Sequence, residues 1–127
     1  MMTTKYLIFC AKSKLNIKSD YALAMHLQVT KKAIAQHQNK QATMSDNTCE
    51  NLAEILECDV AILYAAMHAE RAKNESARQV WLRIWRTLGG QELLDLLQKK
   101  YPLPRQVQLL DVPFQVTHEP PRLTFTA

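Results

Sequence analysis

The sequence predicts a mainly α protein: five helices, a helical C-terminal extension, and a Pro-containing tail with β-like character. Three observations predict it. Apolar residues recur at three- and four-residue spacing through the first hundred positions, the period of a helix with one buried face. Ser, Thr or Asp stands ahead of several of these runs, where its side chain can accept from a free backbone N–H. The 127 residues include only two glycines, so a run of tight β-turns is not expected. The length fits one domain or one domain with an extension, here divided as residues 1–74 and 75–127.

The spacing predicts a first helix from about Lys5 to Leu15, with Tyr6, Leu7, Phe9 and Cys10 on its apolar face. Lys12 and Lys14 lie near its end, where a cation suits the helix dipole. Asn16-Ile17-Lys18 leads to Ser19, which can cap a second helix with Asp20 in its opening turn. Leu23 and Leu27 share one face of that helix, and Ala24 is small where two helices must cross closely. Gln28-Val29 breaks the pattern, and Thr30 can cap a third helix by accepting from the backbone N–H of Lys32 or Ala33. That helix, Lys31 to Asn39, keeps Ile34 as its large apolar anchor and leaves Lys31, Lys32, Gln36 and His37 around the surface. So short a helix with one large apolar side chain is poorly stabilised by burial. Its polar side chains sit where they can meet phosphates and base edges.

The run A-x-x-x-Q-V-T-x-x-x-I-A-Q, with Ala24, Val29, Thr30 and Ile34, resembles the helix-turn-helix of Cro- and lambda-repressor-type regulators, the xenobiotic-response-element family. A fourth helix opening at Ser45 and a fifth at Asp59 follow in the order of that family, so the resemblance covers roughly residues 6–68. The N-terminal two-thirds also resembles small phage-borne proteins that carry such a domain. The resemblance implies a five-helix lambda-repressor-like domain that binds operator DNA as a homodimer. It places Lys31, Lys32, Ala35 and Gln36 toward the bases and Thr30, Lys40 and Thr43 toward phosphate. Gln36 suits bidentate pairing with adenine, and Lys31 or Lys32 suits guanine. Lys12, Lys14 and Lys18 flank the motif as further phosphate candidates. One residue departs from the pattern. The family usually has Gly in the turn, at positive φ, and here Gln28 stands there at a cost of about 1 kcal/mol.

Ser45 caps a helix predicted to reach Glu57, with Leu52, Ala53, Ile55 and Leu56 inward and Glu50, Glu54 and Glu57 facing water. Asp59 caps the next, through Ile62, Leu63, Ala66 and Met67 toward Lys73, with Tyr64 either in the core or at a dimer contact. Ser76 is the expected cap of a sixth helix, Ala77 to Leu88. Its apolar set of Val80, Trp81, Ile84, Trp85 and Leu88 must be buried, either on the first five helices or in a dimer interface. For the dimer reading the candidates are Trp81, Ile84, Trp85 and Leu88, with Arg78, Arg83 and Arg86 on the opposite, solvated side. Gly89-Gly90 stops this helix, and Gln91 to Lys100 forms another with Leu93, Leu94, Leu96 and Leu97. From Tyr101 five prolines interrupt the chain, and Gln106–Leu110 and Val112–Val116 have β-like content. A hairpin, strand exchange between subunits and an extended tail over a partner are all open readings of it.

The net charge is +4, and its distribution is uneven. Seven lysines face one acid up to Lys40, six acids and no Lys or Arg follow up to Glu70, and nine basic residues against five acids close the chain. A basic block around the third helix is the electrostatic footprint of a duplex-DNA binder. No apolar run approaches the ~20 residues that span a bilayer, so no membrane association is expected and the location reads as cytoplasmic. Cys10, Cys49 and Cys58 are odd in number and lack C-x-x-C spacing, which suits reduced buried thiols. The four histidines have no ligand spacing, so neither metal nor other cofactor is expected. No catalytic constellation or Gly-rich phosphate loop is present, so an enzyme is not expected. The alternative to a regulator is a protein-interaction module, in which the Trp-bearing helix and the tail recruit a phage or host protein. The absence of Arg from the motif favours that alternative, because Arg is the commonest reader of guanine.

Overall fold

The computed structural model describes residues 3–39 and 43–103. The β-like pieces expected at 106–110 and 112–116 lie outside the described residues, as does Lys40. The described chain is mainly helical, without strands: α1 (Thr4–Leu15), α2 (Asp20–Leu27), α3 (Lys31–Asn39), α4 (Asp46–Leu56), α5 (Val60–Arg71), α6 (Glu75–Thr87) and α7 (Gly90–Lys100).

The caps account for most boundaries. Thr3, Ser19, Ser45, Asp59 and Asn74 each accept a backbone N–H two or three residues on, filling one orphan donor of the helix that follows. The sixth helix therefore starts on Asn74, not Ser76. The Asn74 carboxamide reaches the Ala77 N–H at 2.8 Å, and Ser76 is already inside the first turn.

Three helices end in the same way. Asn16, Gln28 and Glu57 lie in the left-handed region at φ of 56°, 58° and 58°. The next residue then donates back into the helix, Ile17 to Lys12, Val29 to Ala24 and Cys58 to Ala53, each at 3.0 Å. This is the Schellman closure, usually built on glycine. Among the described residues it is built three times without one.

α5 is the central helix. Ile62, Leu63, Ala65, Ala66, Met67 and Ala69 are buried and point to more than one side, so neighbours must cover it on several flanks. α4 packs on one flank and α6, in the most extensive helix pairing among the described residues, on another. Leu82 and Trp85 of α6 and Leu94 and Leu97 of α7 join the same core as residues of α1 to α5. At the far end of α5, Glu70 accepts from the Thr4 N–H at 3.0 Å and its hydroxyl at 2.8 Å, closing the start of α1 onto the end of α5.

α6 is rotated from its expected setting. Leu82 and Trp85 are 2% and 0% exposed, whereas Val80, Ile84 and Leu88 remain 41%, 37% and 40% exposed. Arg78 shows why. Its guanidinium donates to the carbonyl of Ala69 at 3.2 Å, which also accepts the Ala72 N–H, and to that of Ala72 at 2.8 Å, both at the end of α5. That places Arg78, Leu82 and Trp85 along the buried edge, so Arg78 is not on the solvated side. Trp81 is half-buried and stacks on His68 of α5, with ring centroids 4.3 Å apart.

Trp85 lies flat against the start of α7. A Cβ at Gly90 would fall 2.2 Å from its ring. The indole N–H has no acceptor among the described residues. Burying about 200 Å² of ring is worth ~5 kcal/mol, against ~1–3 kcal/mol for the unpaired donor, so burial wins.

Gly90→Ala is expected to cost about 3 kcal/mol or to block folding, since rigid ring atoms must move. Gly89→Ala, at φ 95° with its Cβ at an ordinary contact distance of 3.9 Å from the Glu92 carboxylate, should cost only about 1 kcal/mol. Denaturant unfolding of the two variants checks the order. Gln28→Gly should raise stability by about 1 kcal/mol, and Asn16→Gly by less, because Asn tolerates this region better.

Burial pushes the Glu70 carboxyl above its usual range, against the opposing pull of the Thr4 hydrogen bonds, His37 and Arg71. A raised folded-state value means that Glu70 favours folding fully below the ordinary carboxylate pKa and less as pH rises through the folded value. Glu70→Gln keeps an acceptor for Thr4. The variant should be more stable than wild type at neutral pH, with the difference vanishing near about pH 4, as read by unfolding curves at the two values.

Candidate nucleic-acid interface

The α2–α3 pair is assembled by its joint. Leu27 ends α2 inside the core, Gln28 turns the chain, and half-buried Val29 packs behind it. Thr30 then accepts the Ala33 N–H at 3.1 Å through its hydroxyl, opening α3. From α4, the Asn51 amide donates to the Leu27 carbonyl at 3.0 Å.

α3 packs mainly on α2 and α1. Ile34 is fully buried. With ~100° between successive residues, Lys32 and Gln36 fall on the side of α3 opposite Ile34, and both are exposed. Lys31 and Thr30 are exposed as well, and half-buried Ala35 lies between the exposed and buried sides. His37 corrects the expectation that it stands on the surface. It is buried, on the Ile34 side and within electrostatic reach of Glu70.

The opening turn of α3 holds no acid and two lysines, Lys31 and Lys32. Cations at a helix N-terminus oppose its dipole, at roughly 0.3–1 kcal/mol each. No helix needs that arrangement for its own stability, and an anion placed there would offset it.

The other basic residues of the N-terminal block divide. Lys12 is held by Asp20 at 2.5 Å and Lys14 by Glu57 at 2.6 Å, so these two phosphate candidates are engaged inside the chain. Lys14 in turn draws the Glu57 carboxyl below its usual range. Lys18 is exposed. Thr43 is half-buried, and its hydroxyl accepts from the guanidinium of exposed Arg71 at 3.2 Å. Arg71 is the residue that sequence reasoning missed. It stands 28 positions from Thr43, and only the packing of α5 brings an arginine to the segment following α3.

Of the dimer candidates, Trp85 is a core residue of its own chain and offers no surface to a second copy. Trp81 is half-buried, and Ile84 and Leu88 are exposed; with Val80, which the candidate set omitted, they form one apolar flank of α6. Tyr64 is half-buried, and its hydroxyl donates to Glu50 at 2.7 Å, which raises its pKa to about 12.

The cysteines are free thiols, with Cys10 and Cys49 buried and Cys58 half-buried. Burial pushes them up to about 12, 12 and 11, so they are protonated at neutral pH and poor nucleophiles. Among the described residues no group of three His, Cys, Asp or Glu side chains could hold a metal ion. None of the described helices is long and apolar enough to cross a membrane.

Comparison with protein-family models, curated proteins and solved structures gives no match. The residues of this surface and their geometry are what bear on function.

Proposed function

We propose that the chain is a sequence-specific double-stranded-DNA-binding transcriptional regulator of the Cro/lambda-repressor helix-turn-helix type, of phage or prophage kind. In this reading residues 1–74 form the DNA-binding domain and residues 75–127 a dimerisation or partner-binding extension. The observation that carries it is the polar surface of α3: Lys32 and Gln36 opposite Ile34, with exposed Lys31 beside them, on a short helix whose opening turn carries positive charge and no acid. A phosphate offsets that charge, and a base edge gives the Gln36 amide its two-sided partner.

The mechanism is occupation of a promoter, without bond chemistry. α3 enters the major groove, with Lys31, Lys32, Ala35 and Gln36 toward the bases. Thr30, Lys40 and Thr43 hold phosphates, and Arg71 beside Thr43 adds a further phosphate contact. One such domain reads too few base pairs to be selective, so the regulator acts as a homodimer. Its two α3 helices are spaced about 34–36 Å apart on successive major-groove faces. The exposed flank of Val80, Ile84 and Leu88, edged by Trp81, is the surface that pairs the subunits. The same flank also supports a second reading, in which the extension recruits a phage or host protein and α2–α3 is only scaffold.

Labelled duplex from upstream of the chain's own gene, with a shuffled duplex as control at two salt concentrations, separates these readings. A regulator binds its own duplex tighter by about 10³ or more. Equal, weak, salt-abolished binding to both duplexes would leave the interaction-module reading. Within the regulator reading, Gln36→Ala should relax the preference at one base-pair position, at a cost of roughly 1–3 kcal/mol there. Arg71→Ala should weaken all duplexes alike and lower the slope of log affinity against log salt by about 1.

A further inference from the structure

Among the described residues, few side chains fix the angle of α3: Ile34 and His37 are the buried ones. Ile34 is its one large buried apolar side chain, and it packs chiefly on α2 and α1. α2 is itself only eight residues long, with Leu23, Ala24 and Leu27 buried. The direction of α3 therefore passes through the joint at Gln28, a side-chain-bearing residue in the left-handed region. Such a conformation persists only where the surroundings over-determine it.

The joint's hydrogen bonds are divided among three acceptors at the end of α2. Val29 donates to the Ala24 carbonyl at 3.0 Å and Gln28 to the Met25 carbonyl at 3.3 Å. The Leu27 carbonyl, one residue before the turn, is taken by the side chain of Asn51, which comes from α4 and lies 24 positions away. The first two bonds close the turn on itself. The third ties it to another helix, and Asn51 is half-buried, so water competes for that bond less than at an open surface.

We propose that Asn51 is a positioning residue for the DNA-reading surface: its bond to the Leu27 carbonyl locks the α2–α3 joint to α4 and holds the Lys32–Gln36 side of α3 at one angle. The inference rests on the regulator reading above. Specific binding needs that angle, because base-edge contacts tolerate little displacement. Non-specific binding, which is charge attraction to phosphate, does not. Losing the bond should therefore lower specific affinity roughly 3- to 10-fold and leave non-specific affinity nearly unchanged.

The test uses the full chain and two variants. Asn51→Leu keeps the size and removes the donor. Asn51→Asp keeps the shape, cannot donate, and decides the matter if Asn51→Leu does not fold. The probe is the duplex that the wild-type chain selects from a randomised pool, measured against a shuffled duplex. The ratio of the two affinities cancels the charge that Asp adds. Amide hydrogen exchange of the free proteins is read alongside, at Gln28, Val29, Ala33 and Ile34 and at Leu63 and Ala66 of α5.

The expected result is a lower affinity ratio with faster exchange confined to the α2–α3 joint. An unchanged ratio in a wild type and variant that both discriminate overturns the positioning role and leaves the regulator reading standing. Faster exchange at α5 as well as the joint also overturns it, since Asn51 would then serve the whole fold. If the wild-type chain selects no duplex at all, the regulator reading falls and the positioning role falls with it.

Discussion

α5 is apolar on several sides, and a helix of that kind has no stable place until neighbours enclose it. α4 and α6 do so from different flanks, and the rest of the architecture follows from that enclosure. The end of α5 is then itself a problem, because its last carbonyls are short of helical donors, the Ala72 N–H bonding only that of Ala69. Arg78 resolves it by donating to Ala69 and Ala72, and in doing so sets which edge of α6 faces inward. Leu82 and Trp85 go into the core, Gly90 lets the ring lie against α7, and α7 follows α6 into the same core. The extension is thus part of the core that supports α1 to α5.

The short helices are joined without glycine. Asn16, Gln28 and Glu57 accept left-handed backbone strain at three Schellman closures, and each is followed by a residue that packs on the core: Ile17, Val29 and Cys58. Burial of that following residue and the return hydrogen bond hold the strained one in place. At the Gln28 joint a third restraint is added from α4. That joint is the one whose geometry directs an exposed polar helix.

Charge is sorted by the fold as well. Lys12 and Lys14 neutralise Asp20 and Glu57 across helix–helix joints, which removes them from the outward basic surface. Lys31 and Lys32 sit against the dipole of α3, where they cost stability, and Arg71 arrives beside Thr43 from the end of α5. Placement of positive charge where it is locally unfavourable is what distinguishes this surface from an ordinary solvated lysine face.

By itself the sequence determined the local elements. The caps at Ser19, Thr30, Ser45 and Asp59, the inward Ile34 and the outward Lys32 and Gln36 are all set by side chains within a few positions of one another. Short-range hydrogen bonds and the 3.6-residue period are enough to read them. Tertiary structure decided what local spacing leaves degenerate. With Leu82, which the expected set left out, the apolar residues of α6 span so wide an arc that Trp85 with Leu82, or Ile84 with Val80 and Leu88, could equally have faced the core. The end of α5, on the preceding helix, made the choice through Arg78. His37 went inward, Asn51 reached the Leu27 carbonyl and Arg71 reached Thr43 through longer-range packing. Each depends on a partner tens of positions away, and only packing brings such partners together.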